Sequence, residues 1–304
     1  MNSCCKLTIA VITMNRAEQL IDALESCIAC KLPAGTEIVI LDNGSTDGTR
    51  EAVKAFSEEH LDIAVKYEYS SVNLGVGGGR SRAFELAQGE YVYFLDDDAV
   101  IAAESRNRFF VDSVDYLDRN RNVASLTTRI YDEMLVCDRE VSASQKNAID
   151  GLPKIFMYLG GSHFLRKEYF DLPLYFDIKY GNEENAPCIK AQNKGYSHVF
   201  DDHVFIIHKP KVNKWVKGTS NEEYVSICCI AVCYATKKIL YPTVFLPILW
   251  AGYLRRCQKH LGIYPGAKKR ADKMVKEILK NNKSDKVSVS CVVKMAREFG
   301  LTVL

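Results

Sequence analysis

YVYFLDDDAVI, residues 91–101, runs five apolar or aromatic residues straight into Asp96, Asp97 and Asp98 and then resumes an apolar run. A short segment rich in aromatic and β-branched residues, with no polar alternation, reads as a strand buried on both faces. Three earlier segments read as strands too: KLTIAVIT (6–13), EIVILDNGS (37–45) and IAVKYEYS (63–70). Between the first two, AEQLIDALESCIAC (17–30) places Leu20, Ile21, Leu24 and Ile28 at helical spacing. STDGTREAVKAF (45–56) opens a second helix with Ser45 or Thr46 available as N-cap. A glycine-rich loop, NLGVGGG (73–79), leads into a third, RSRAFELAQG (80–89). This alternation predicts an α/β fold with a parallel, doubly wound sheet. Ligands of such sheets bind at the carboxyl ends of the strands. Here those ends carry Thr13, Asp42, Asn73 and the acidic triplet, along one rim.

Three adjacent carboxylates at the mouth of a core repel one another. Solvent relieves the repulsion if the triplet merely caps the next helix; a hard divalent cation, Mg²⁺ or Mn²⁺, relieves it if the triplet is a site. The glycine-rich segment fails the dinucleotide fingerprint, because Gly75-x-Gly77 would need glycine at 80 and Arg80 stands there. No phosphate-loop motif of the GxxxxGK[ST] kind occurs. Arg80, at a helix start, suits a pyrophosphate better than it suits packing.

The 304 residues suffice for one large or two smaller domains, and 47% hydrophobic against 26% charged residues argues against disorder. Charge is unevenly spread. Residues 219–304 hold 15 Lys and Arg against 6 Asp and Glu, and the preceding 218 hold 25 against 32. An α/β body at 1–218 and a basic, helical region at 219–304 are the expected units, the latter suited to an anionic surface or to oligomer contacts. Residues 223–257 are the most apolar stretch, but Lys237, Lys238, Pro242 and Pro247 interrupt it. No run reaches the roughly 18–20 residues a membrane span needs. Packed helices or a hairpin on a membrane surface are the two readings. AKKRADKMVKEILKNNK (267–283) forms a basic amphipathic helix. Nucleic acid is disfavoured, since the body is acidic and aromatics do not interleave with the basic residues. The 11 cysteines are scattered, and the opening residues read as a strand rather than a secretory leader. Reduced thiols in a cytoplasmic protein are expected, with Cys27 and Cys30 as two core or semi-exposed thiols rather than a redox or metal pair.

The ordered set TMNR (13–16), LDNGSTDGT (41–49), NLGVGGGRSRAFELAQGEY (73–91) and FLDDDA (94–99) resembles glycosyltransferase family 2, with its GT-A fold. A fainter echo, GNEE, KAQNKGY and VFIIH, extends the likeness to His208. The narrower similarity is to bacterial transferases that build polysaccharides. The resemblance implies transfer of a sugar from a nucleotide-diphospho-sugar (a UDP- or dTDP-sugar) to a saccharide or lipid-linked acceptor hydroxyl, with inversion. It implies Asp96 and Asp98 as the D-x-D pair around Mn²⁺ or Mg²⁺, with Asp97 beside them and His208 as a further metal ligand. Thr13, Asn15, Arg16, Asp42, Asn43, Asn73, Gly75, Arg80 and Gly161 fall where relatives hold the donor. Of the Glu183–Glu184 pair, Glu184 takes the general-base position. The chain departs from the family in carrying Ser81 for a common Asn, and Ala186-Pro187 after the acid pair. The implied location is the cytoplasm, peripheral on the inner face of the cell membrane. A sugar nucleotidyltransferase would want a glycine-rich basic loop after the first strand, which TMNRAEQL lacks. A non-catalytic nucleotide-sugar-binding module is the third reading, opposed by the intact Asp96 and Asp98.

Overall fold

A computed structural model describes residues 5–141, 143–178, 180–210 and 220–304. The expected alternation is present: β1 (Leu7–Thr13), α1 (Ala17–Ile28), β2 (Thr36–Asp42), α2 (Thr49–Glu59), β3 (Ala64–Tyr69), α3 (Gly75–Leu86) and β4 (Tyr91–Asp96). These four strands pair in parallel in the order β3-β2-β1-β4. Successive residues of β4 supply opposite faces. Tyr91, Tyr93 and Leu95 join the core under α1, while Val92 and Phe94 join the core under α3. That two-sided burial is why the run lacks polar alternation. β3, at the end of the sheet, is only partly covered, which accounts for its Lys66 and Glu68. Cys27 and Cys30 lie in the core beneath α1.

Beyond β4 follow β5 (Ala99–Ile101), α4 (Phe109–Arg119), β6 (Val123–Asp132), β7 (Cys137–Asp138), β8 (Ala143–Ile149), β9 (Leu152–Ile155), β10 (Ser162–Arg166), α5 (Asn185–Asn193) and β11 (Ser197–His208). Antiparallel β10 enters between β4 and β6, and β11 runs parallel to β6, so one continuous sheet carries both halves. The helical end comprises α6 (Ser220–Leu240), α7 (Leu246–Leu261), α8 (Ala267–Asn281) and α9 (Val289–Phe299). Its core is continuous with Ile178, Ala186 and Ile189 of the body. Lys154 to Glu298 and Lys190 to Asp285 tie it further, at 2.5 and 2.7 Å. The boundary expected between residues 218 and 219 lies outside the described residues. No helix among the described residues is long and apolar enough to cross a membrane.

Two local expectations need correction. α2 begins at Thr49 with Gly48 at its N-cap, so neither Ser45 nor Thr46 caps it. Residues 75–79 are not a loop but the first turns of α3. The reason is close packing. A Cβ on Gly79 would stand 2.7 Å from Ile12 Cγ2 and 3.3 Å from Leu41 Cδ2, so glycine lets the helix lie directly on β1 and β2. Gly79→Ala therefore forces those side chains to shift and lowers stability by about 1–3 kcal/mol. Calorimetry checks this against Gly48→Ala, where nothing lies within 4 Å of the added methyl.

Candidate active site

Parallel register brings the strand ends level. Thr13 pairs with Asp42 across β1 and β2, and Ile12 with Asp96 across β1 and β4. The loops leaving this rim are stapled by side chains. Asp42 Oδ1 accepts from the N–H groups of Gly44 (3.1 Å) and Ser45 (2.7 Å), and Oδ2 from the Tyr67 hydroxyl (2.6 Å). Asn15 adopts a left-handed backbone, φ 55°, which its short polar side chain tolerates. Its Oδ1 accepts from Thr46 N–H at 2.8 Å, and its own N–H donates to Ser45 Oγ at 2.9 Å. Asn43 Nδ2 donates to Gly75 O, and Leu74 N–H donates to Asn43 Oδ1, both at 3.0 Å. Gly75 N–H donates to Asn73 Oδ1 at 2.8 Å. Asn43, Asn73 and Gly75 thus hold one another.

Asp96, Asp98 and His208 offer ligand atoms that all lie within 4.8 Å of one another. Two carboxylates and an imidazole are a donor set that suits Mn²⁺ or Mg²⁺. His208 reaches the cluster because β11 ends there, paired with Ala99 of β5 and Asp132 of β6. Its Nε2 stands 3.2 Å from Asp98 Oδ1 and its Nδ1 2.9 Å from Asp132 Oδ2. Asp132 therefore fixes the ring so that Nε2 points at the acids, as outer carboxylates do for metal-binding histidines. Burial works against charge on Asp98, yet the His208 hydrogen bond and the charges of His208, Arg16 and Arg139 hold its carboxyl below the ordinary range. Arg16 Nη1 bridges Asp97 Oδ1 (2.6 Å) and Asp98 Oδ2 (2.8 Å). Burial nevertheless pushes Asp97 up to about 6, against Arg16 and with Asp98 adding to the rise.

Glu183 and Glu184 are set by a sharp turn. Gly181 (φ 94°) and Asn182 (φ 54°) are both left-handed, and α5 starts directly after the pair. Both glutamates are buried. Between them and the triplet lies the Arg80 guanidinium, only 5% exposed. Its Nη2 meets Asp96 Oδ1 at 2.8 Å, and its Nη1 meets Glu183 Oε1 at 3.2 Å and Glu184 Oε1 at 3.3 Å. Arg80, read from sequence as a pyrophosphate contact, has its guanidinium engaged with these three acids. Burial first, and Glu183 second, push Glu184 above the ordinary carboxylate range, against the pull of Arg80. Gly160 and Gly161 leave room beside the cluster. A Cβ at 160 would strike Glu184 Oε1, and one at 161 would stand 2.9 Å from Asp96 Oδ2 and 3.2 Å from Arg139 Nη1. Ser81 accepts from Tyr175 N–H at 3.0 Å, so the residue that departs from the family anchors the segment leading to the acid pair.

Sequence reasoning missed Asp132, Tyr67 and Arg139. Asp132 had a signal: VASLTTRIYD (123–132) is another strand-like run that ends on a carboxylate, as β2 and β4 do. Tyr67 and Arg139 had none, since only the folded chain brings them to Asp42 and to the Asp98–His208 pair.

The sequence profile described as glycosyl transferase family 2 matches residues 8–172. An abequosyltransferase of Salmonella typhimurium is 30% identical over 193 residues, covering 57% of this chain and 56% of that protein. A putative teichuronic acid biosynthesis glycosyltransferase of Bacillus subtilis is 36% identical over 95 residues, covering 31% and 36%. The chain thus aligns with about a third to just over half the length of these relatives. Among solved structures, GalNAc-T7 with UDP, GalNAc and Mn²⁺ superposes with a TM-score of 0.65 at 14% identity, over 99% of this chain and 59% of that one. Residues 1–349 of TarS from S. aureus, in complex with UDP-GlcNAc, superpose with a TM-score of 0.61 at 15% identity, over 98% and 89%. These likenesses show the GT-A fold. With the family profile covering more than half its length, the chain belongs to glycosyltransferase family 2.

Proposed function

We propose that the protein is an inverting, divalent-metal-dependent glycosyltransferase that moves a sugar from a UDP- or dTDP-sugar to a hydroxyl of a saccharide or lipid-linked saccharide. The observation that carries this reading is the cluster in which the buried Arg80 joins the partly exposed Asp96 of the acidic triplet to the buried Glu183–Glu184 pair. One end of the cluster suits a diphosphate leaving group and the other an attacking hydroxyl. The relatives named for abequose transfer and teichuronic acid biosynthesis support an assignment to cell-surface polysaccharide synthesis.

Thr13, Asn15 and the turn at Asn43 shape the nucleoside side. Asp42 spends Oδ1 on its own turn, and Oδ2, which already accepts from the Tyr67 hydroxyl, has a second lone pair for a base N–H. Arg16, partly exposed and already beside Asp97 and Asp98, is the cation placed to meet the diphosphate. A divalent ion held by Asp96, Asp98 and His208 would act as a Lewis acid toward the leaving phosphate oxygen. The Gly160–Gly161 pair leaves space for the sugar ring. Glu184 takes the acceptor proton as the acceptor oxygen bonds to the anomeric carbon and the carbon–phosphate-oxygen bond breaks, releasing the nucleoside diphosphate. Attack from the side opposite the leaving group inverts the centre.

Nucleotide release from a panel of UDP- and dTDP-sugars with Mn²⁺ tests the reading. Glu184→Gln is expected to lower kcat by about 10²–10⁴ while donor still binds; normal turnover would place the base elsewhere. Asp98→Ala should abolish metal-stimulated release, and unchanged activity would remove the metal assignment. Asp132→Asn is expected to weaken Mn²⁺ binding by about 10–100-fold in titration calorimetry, with little change in melting temperature.

The pH dependence carries a sign. A base works only when ionised, and burial raises the pKa of Glu184. Activity is therefore lost as pH falls through that raised value, well above the ~4.3 of an ordinary glutamate. The acid limb of a kcat/KM profile should lie accordingly, and a limb near pH 4 would remove Glu184 from the base role.

A further inference from the structure

α7 has two working faces. Leu249, Tyr253, Cys257 and Leu261 are buried on the inner one. On the outer one, Val244, just before the helix, is 68% exposed, and Ile248, Trp250 and Leu254 are 46%, 45% and 37% exposed. Positions 244, 248 and 251 form one helical row and 247, 250 and 254 the next, so these side chains make one stripe. Residues 243–261 contain no acid. Basic groups border the stripe. Arg255 and Lys259 are exposed at the end of α7, and Lys268 of α8 holds its Nζ 5.9 Å from the Trp250 ring. The acids nearby are engaged: Asp272 with Lys268 and the Tyr253 hydroxyl, Glu277 with Lys273, and Glu223 with Arg270.

We propose that this face of α7, with Lys268, docks the protein on an anionic lipid bilayer. A helix lying in the interface needs an aliphatic stripe, an aromatic at its edge and cations at headgroup level, and α7 supplies all three. A second copy of the chain fits poorly. Twofold pairing would set one cationic border against another, and protein interfaces are depleted in Lys. The exposed aliphatic side chains have no role on nucleic acid. Docking also reaches the site mechanically. α7 and α8 pack on α6, and α6 receives Asn182 Nδ2 on Cys229 O at 3.1 Å, one residue before the acid pair. The surface thereby deepens the lipid-linked-acceptor reading above, yet vesicle binding is measured without turnover and stands or falls separately from it.

The test is co-sedimentation of the full chain with vesicles of phosphatidylcholine alone and of phosphatidylcholine mixed with phosphatidylglycerol. Binding is expected only to the anionic vesicles and should weaken with added salt. Replacing Arg255 and Lys259 with Gln should weaken it about fivefold per cation, and replacing Lys268, which is paired with Asp272, should weaken it less. Ile248→Ser with Leu254→Ser should abolish it, with melting temperature and vesicle-free nucleotide release unchanged. In a Trp215→Phe background, Trp250 fluorescence should be quenched by lipids brominated high on the acyl chain. Equal binding to both vesicle types, an unquenched Trp250, or a dimer in light scattering that Trp250→Ser dissolves would each overturn the proposal; the last would make the face a contact between copies.

Discussion

The buried Arg80 guanidinium is the contact on which the site depends. One buried cation faces the buried Glu183 and Glu184 and the partly exposed Asp96. Burial first, and the neighbouring Glu183 second, push Glu184 above the ordinary carboxylate range in spite of Arg80. Asp98, a few residues from this group, has its own partners in His208 and Arg16 and is held down. Two ends of one acidic cluster are thus driven in opposite directions: one toward permanent charge, fit for a cation, the other toward a proton exchanged near neutral pH. Pairs of titratable groups separated in this way mark acid–base division of labour. Arg80 can hold this position only because α3 lies flat on the sheet, and α3 lies flat because Gly79 has no side chain.

Much of this was legible in the chain. The four runs ending near Thr13, Asp42, Tyr69 and Asp96 carry their own strand signature, and parallel pairing leaves little freedom about where their ends go. Asp96, Asp98 and His208 do converge. What local pattern could not convey was the use to which residues were put. The glycine-rich segment 75–79 read as a loop because glycine disfavours helices, but the cost of Gly79 in a helix is small beside the contact it permits with Ile12 and Leu41. Arg80 read as a phosphate ligand because its partners Glu183 and Glu184 lie about a hundred residues away. Asp132 escaped notice for the same reason: its partner His208 is distant in sequence and near only through the β6–β11 register.

That register also explains how a sheet can build a site with two ends. Antiparallel β10 carries the chain back beside β4, placing Gly161 against Asp96, whose N–H it receives at 3.3 Å. Parallel β11 then returns to the same rim with His208. Asp96 and His208 are the last residues of their strands and are held by backbone pairing, and Asp97 and Asp98 form the short turn from β4 into β5. Sites supported in this way keep their geometry better than sites built on loops.

The Glu183–Glu184 pair is held differently, by the helical end. Glu183 and Glu184 hang on Gly181 and Asn182, two consecutive left-handed residues with no strand beneath them. What steadies that turn is α6: a Cβ on Gly181 would stand 3.3 Å from Cys228 Cβ, and Asn182 donates to Cys229 O. Left-handed Asn is tolerated but not favoured, so the surrounding contacts must over-determine it. A disturbance of α6 is therefore felt at the acid pair before it is felt at the triplet, whose strands belong to a separate core. On the proposed reading, the acceptor side of the site is the side mechanically joined to the basic helices, and the donor side is the side joined to the sheet.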